Sequence, residues 1–118
     1  NGDAIEATAA AENFIRLHPG HKDLPYLFYI RGLAYYQEIS DVARDQGATR
    51  RAKSAFEEVI NRYPDSSRAG DAMMLKAVVL QDVYQKNGEA KQVVNQMLAA
   101  HPDHDLADDA KALLATMQ

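Results

Sequence analysis

The stretch YPDSSRAGDA at residues 63–72 recurs as HPDHDLADDA at residues 101–110, an offset of 38 positions. Both follow one pattern: aromatic or His, Pro-Asp, three residues, Ala, one residue, Asp-Ala. Pro disfavours helical geometry at the residue before it and so ends an incoming helix. Asp or Ser accepts from the orphan amides at the start of the next helix. The small Ala lets that helix pack closely on its neighbour. Residues 19–27, PGHKDLPYL, do the same job with different letters. A motif that stops one helix and starts another, written three times in 118 residues, points to short helices stacked in series.

The apolar spacing between these junctions is helical nearly throughout. Ala4 to His18 places Ile5, Ala9, Phe14 and Leu17 near one stripe and stops at Pro19-Gly20. Asp23 is expected to cap a second helix with Pro25 in its first turn, where a missing N–H costs nothing. That helix runs to about Ile39. SDVARDQG, residues 40–47, is polar, contains Gly and breaks the period, so a loop is expected there. A third helix covers Ala48 to Tyr63, with Ala52, Ala55, Phe56, Val59 and Ile60 facing inward. Asp65, Ser66 or Ser67 caps a fourth, which runs to about Lys86 and closes at Asn87-Gly88. A fifth spans Glu89 to about Ala100, and a sixth runs from about Asp105 to Met117. The expected fold is all-α, a single domain over residues 1–118, built as a right-handed solenoid of three helical hairpins. No hairpin buries its apolar face alone, so stacked neighbours supply the core.

The chemistry classes thin out quickly. No apolar run approaches the roughly 20 residues needed to cross a bilayer. The N-terminus NGDAIEATAA has no basic and apolar leader pattern. It also lacks an initiator Met, so the chain reads as a mature or trimmed product. A net charge of −4 argues against a nucleic-acid partner. With no cysteine, disulfides, thiolate metal sites and Cys nucleophiles are excluded. Ser40, Ser54, Ser66 and Ser67 sit in no nucleophile elbow, and no glycine loop suits a phosphate. The pairs His18/His21 and His101/His104 span helix ends rather than one helix face, with no third ligand at fixed spacing. Asp103 and Asp105 read as caps. No metal, cofactor or catalytic activity is expected.

The spacing matches a known repeat. Tetratricopeptide repeats of about 34 residues carry a small residue and Tyr three apart, then Ala, an aromatic and Pro. Gly32 and Tyr35 fit the first half; Ala52, Phe56 and Pro64 fit the second. Gly32 to Ala52 exceeds the family spacing by about eight residues, the length of SDVARDQG. In the last hairpin, Tyr84 and Gly88 match only the end of a first helix. Beyond the repeat, FIRLHPGHKDLPYLFYIRGLAYYQEISDVARDQ followed by AFEEVINRYPDS resembles the BamD-type outer-membrane barrel-assembly lipoproteins. The stretch RGLAYYQEISDVARDQ carries most of that resemblance. It implies a scaffold at the periplasmic side of the outer membrane. Its partners would be the barrel-assembly machinery and unfolded outer-membrane proteins. Contact with the membrane would run only through a lipid anchor, which is absent from this cysteine-free chain.

Two surface groups stand out as binding candidates. Tyr26, Tyr29 and Tyr36 lie three and seven apart, hence on one helix face. They either line the concave groove, where tyrosine suits a peptide partner, or pack on the preceding hairpin; Tyr35 reads as core. Arg44, Arg50, Arg51 and Lys53 cluster in and after residues 40–47, diluted by Asp41 and Asp45. They either grip a partner's carboxylates or form a solvated surface, with Arg44 and Asp45 also able to pin the loop. The leading reading is a protein-binding scaffold. The alternative is a structural module whose apolar end faces drive self-association into a homo-oligomer.

Overall fold

The computed structural model of the chain describes residues 2–41 and 46–117. They form six helices: α1 (Gly2–Leu17), α2 (Leu24–Asp41), α3 (Gln46–Arg62), α4 (Ser67–Asp82), α5 (Asn87–Ala100) and α6 (Ala107–Thr116). No strand occurs among the described residues, in keeping with the expected all-helical repeat fold. Each helix packs on its successor in the chain, and α2 also meets α4. The Cα envelope measures 42 × 33 × 18 Å. Its short dimension suits two layers of helices with axes about 10 Å apart.

The three junctions are the same object. At each, the residue before Pro donates its amide to the carbonyl four back: His18 to Phe14 at 2.9 Å, Tyr63 to Val59 at 2.9 Å, His101 to Met97 at 2.8 Å. The residue three further on returns its amide to that one's carbonyl: His21 to His18, Ser66 to Tyr63, His104 to His101. Its side chain then accepts the amide two residues ahead. His21 Nδ1 takes Asp23 N–H at 3.1 Å, Ser66 Oγ takes Arg68 N–H at 3.1 Å, and His104 Nδ1 takes Leu106 N–H at 2.9 Å. Ser66 is thus the cap of α4, as expected. The carboxylates of Asp103 and Asp105 do not cap α6, which has no side-chain cap; the imidazole of His104 holds the Leu106 amide just ahead of it. The second His of each pair thereby gains a structural role.

Several boundaries differ from the sequence reading. Of residues 40–47, Ser40 and Asp41 continue α2, and Gln46 and Gly47 begin α3. Loss of apolar period removed the burial signal there, not the capacity for helix, and Gly is tolerated in a first turn that has few ladder bonds to hold. Helix α4 stops at Asp82, and Asn87-Gly88 opens α5 instead of closing α4. The left-handed residue is Gln85, with φ 56°, which lets Lys86 N–H reach Leu80 C=O at 2.8 Å. Helix α6 is shorter than expected by about a turn. On α1, Phe14 faces inward as expected, together with Ala11 and Ile15, while Ala9 and Leu17 are exposed, Leu17 by 56%, and the side chain of Ile5 lies outside those described.

Two core clusters hold the stack. Leu24, Phe28, Ala52, Phe56, Val59 and Ala72 join α2, α3 and α4. Met73, Ala77, Leu80, Ala90, Val94, Met97 and Ala110 join α4, α5 and α6. Ile60 packs against both. The repeat's signature positions explain the close approaches. A Cβ on Gly32 would lie 2.7 Å from the Phe56 ring, and a Cβ on Gly70 would lie 2.5 Å from the His104 ring. The junction alanines Ala69, Ala72, Ala107 and Ala110 are all buried. At the α3–α4 contact Glu57 pairs with Lys76 at 3.1 Å and Lys53 at 3.3 Å. Burial works to raise the Glu57 carboxyl, but the two lysines outweigh it and hold it below its ordinary value.

Candidate functional site

The structure separates the expected surface residues into two groups on different sides of α2. Tyr26 lies near the N-terminus of α2 and is 45% exposed. It forms a wall common to two clefts. One, about 560 Å³, is apolar and runs between α1 and α2, lined by Ala10, Ala11, Phe14, Leu27 and Ile30. The other, about 520 Å³, is polar and lies between the starts of α2 and α4, lined by Lys22, Pro25, Ser66, Ser67 and Arg68. The Arg68 guanidinium sits 4.7 Å from the Tyr26 ring centroid and 6.0 Å from that of Tyr29. Stacking of this kind lets a cation cover an aromatic face while its N–H groups stay available. Arg68 is anchored by Asp71 at 3.2 Å.

Tyr29 and Tyr36 are half-buried, and their rings approach Phe56 at 6.2 and 6.4 Å. Burial foremost, and then the Asp71 carboxylate, push the Tyr29 hydroxyl above its ordinary value. The two readings of the tyrosine face therefore both have physical content. Tyr26 presents itself to solvent, while Tyr29 and Tyr36 serve mainly as backing for the core.

The arginines lie elsewhere. Arg50 and Arg51 line a cleft of about 490 Å³ between α2 and α3, together with Arg31, Tyr35 and Glu58. Tyr26, Tyr29 and Tyr36 take no part in it. The Arg51 guanidinium lies 5.7 Å from the Tyr35 ring. Tyr35 O–H donates to Glu12 of α1 at 3.3 Å. Burial and the Glu12 charge raise that hydroxyl. Arg44 and Asp45 lie outside the described residues, as does any role of theirs in pinning a loop. Lys53 points into the ion pair with Glu57.

Sequence reasoning missed Arg68 and Arg31. Arg68 stands inside the repeated junction, where its residue type looked incidental; only the approach of α4 to α2 brings it to Tyr26. Arg31 reads as a solvated helix position. It is instead mostly buried, paired with Glu58, with its guanidinium 5.1 Å from the Phe28 ring.

Ser66 caps α4, and Ser67 offers its carbonyl to His104 Nε2 at 2.8 Å. Phe14 packs on His18 and His21, at 4.6 and 5.1 Å between centroids. Among the described residues no three His, Asp or Glu side chains gather as a metal site would require. No helix among them is long and apolar enough to cross a membrane.

Residues 1–83 match the family described as YfiO, outer membrane lipoprotein. The chain is similar to the outer membrane protein assembly factor BamD of Caulobacter vibrioides, 33% identical over 109 residues, 84% of this chain and 36% of that protein. It is also similar to the BamD of Rickettsia prowazekii, 41% identical over 69 residues, 58% of this chain and 28% of that protein. The BamD of Neisseria gonorrhoeae is 40% identical over 77 residues, 57% of this chain and 29% of that protein. The chain thus spans about a third of the length of these relatives.

Proposed function

The chain belongs to the YfiO outer membrane lipoprotein family, and from that premise we propose that it is a non-catalytic, protein-binding scaffold for outer-membrane protein assembly, working at the periplasmic side of the outer membrane. Its partners are protein segments: parts of the assembly machinery and unfolded outer-membrane proteins. The binding face is the one built around Tyr26. The observation that carries this is the position of Tyr26 itself. An exposed tyrosine divides an apolar cleft from a polar one and lies under the cation of Arg68. A bound segment lays an apolar side chain between α1 and α2, and its polar groups meet Arg68 and Lys22. Exposed aromatics on a rigid wall suit such contacts because few rotors are frozen on binding.

Self-association through the end faces is the less favoured reading. Leu17, Tyr26 and Val83 are the large apolar residues most exposed among those described. They lie at the end of α1, at the start of α2 and just past the end of α4.

The test is affinity for unfolded segments of outer-membrane barrel proteins. Tyr26→Ala is expected to weaken binding at least tenfold, about 1.4 kcal/mol, with helical content unchanged. Arg68→Ala should weaken it less, and mainly at low salt, because charge contacts at a rim are screened. Wild-type affinity in a folded Tyr26→Ala variant would remove this face from the account.

A further inference from the structure

We propose that the cleft between α2 and α3 is a second, separate docking site that takes an acidic protein segment. The proposal rests on the reading of the chain as a scaffold, but on different residues from the Tyr26 face. Three guanidinium groups, Arg31, Arg50 and Arg51, line this one opening of about 490 Å³, in a chain whose net charge is −4. One carboxylate, Glu58, lines the opening with them. Glu58 is already shared, by Arg31 from α2 and by Arg62 at 3.3 Å along its own helix.

Two features mark the site as under-satisfied. Arg50 is exposed and has no ion pair or hydrogen bond among the described residues. Arg31 leaves its Nε buried with no acceptor. Buried N–H groups nearly always find one. None of the described residues supplies it.

The geometry favours a polypeptide over a compact anion. Arg50 and Arg51 are adjacent on α3, so their side chains leave the helix about 100° apart. They cannot close on one small ion from the same side, but they can address carboxylates spaced along a chain. The Tyr35 ring and Ala55 give the same cleft apolar surface, beside Ser54. An extended segment with Asp or Glu alternating with apolar residues matches both features. The planar guanidinium fork pairs with carboxylates through two parallel bonds.

The probe is a fluorescein-labelled octapeptide of alternating Glu and Leu, followed by anisotropy at low and high salt, with a Lys-Leu octapeptide as the reversed charge. The acidic peptide should bind and the basic one should not, with affinity falling steeply as salt rises. Arg50→Glu should weaken binding at least tenfold. Arg50→Lys, which keeps the charge and loses the fork, should fall between Arg50→Glu and wild type. Tyr26→Ala should leave the acidic peptide's affinity unchanged, so this site and the Tyr26 face can fail independently. Equal binding of both peptides, or wild-type affinity in a folded Arg50→Glu, would overturn the proposal. So would displacement of the peptide by millimolar inorganic phosphate or by phosphatidylglycerol vesicles, either of which would assign the cleft to phosphate groups.

Discussion

Phe56 shows how much one position can do. Its side chain is fully buried, its ring lies against Gly32, and Tyr29 and Tyr36 pack around it. Phe56→Ala should therefore cost about 3–5 kcal/mol, the range for a buried Phe whose surroundings relax only partly. Gly32→Ala attacks the same contact from the other side, because the added methyl meets ring atoms that have nowhere to go. Denaturant melts of both variants decide the matter; a loss below about 1 kcal/mol for Phe56→Ala would mean that the ring is not the lock between α2 and α3. Residue type and spacing made Phe56 legible in advance, since its place in the repeat is defined by Gly32, Ala52 and Pro64. The same reasoning could not rank Tyr26 above Tyr29 and Tyr36. All three share a helix face, and only the distance to Phe56 tells which of them the core has claimed.

At the scale of elements, the junctions govern how helices meet. His104 is the most connected of them. Its Nδ1 accepts from Leu106 N–H, so its proton sits on Nε2, which donates to the Ser67 carbonyl at 2.8 Å and lies 3.2 Å from the Asp71 carboxylate. One imidazole thus holds the turn just ahead of α6 and ties it to the first turn of α4. The ring fits only because position 70 is Gly. His104→Ala and Gly70→Ala should each destabilise the protein, by about 1–3 kcal/mol. Together they should cost clearly less than their sum, because the alanine at 104 removes the ring that the methyl at 70 would strike. Additive losses in thermal melts would place the ring elsewhere. The two His-x-x-His pairs were visible from the sequence, yet a turn-holding imidazole leaves no signature that separates it from a cap carboxylate one residue away. The boundaries at residues 40–47 and 82–88 were misread for a related reason: Gly, Asn and polar runs suit a helix start as well as a helix stop.

The whole molecule behaves as a series of neighbours more than as one globule. Helix α3 lies between α2 and α4, with Ala52, Ala55, Phe56 and Val59 all buried. Helix α6 buries only Ala107 and Ala110 within its own span. In a stack where each unit leans on the next, stability follows the number of neighbours. Amide exchange followed by mass spectrometry should release α6 first and α3 last, with protection differing more than tenfold. Uniform protection from α1 to α6 would instead mean one cooperative unit. The same layout keeps the two proposed docking faces apart, since Tyr26 and Arg50 stand on different sides of α2 and α3.

Taken alone, the sequence settled the class of fold, the helices, the placement of the junctions and the identity of the central lock. These follow from local rules: proline ends helices, small residues permit close approach, and apolar period tracks burial. The resemblance to an outer-membrane assembly family was also legible, because RGLAYYQEISDVARDQ departs from generic repeat sequence. What only the tertiary structure decided is how side chains distant in the chain combine. It set Arg68 over Tyr26, drew Arg31 into the cleft with Arg50 and Arg51, and laid Tyr29 and Tyr36 against Phe56. The reason is physical. A helix face is defined by residues three and four apart, but a site is defined by which faces the packing of neighbouring helices leaves open, and that is a property of the stack.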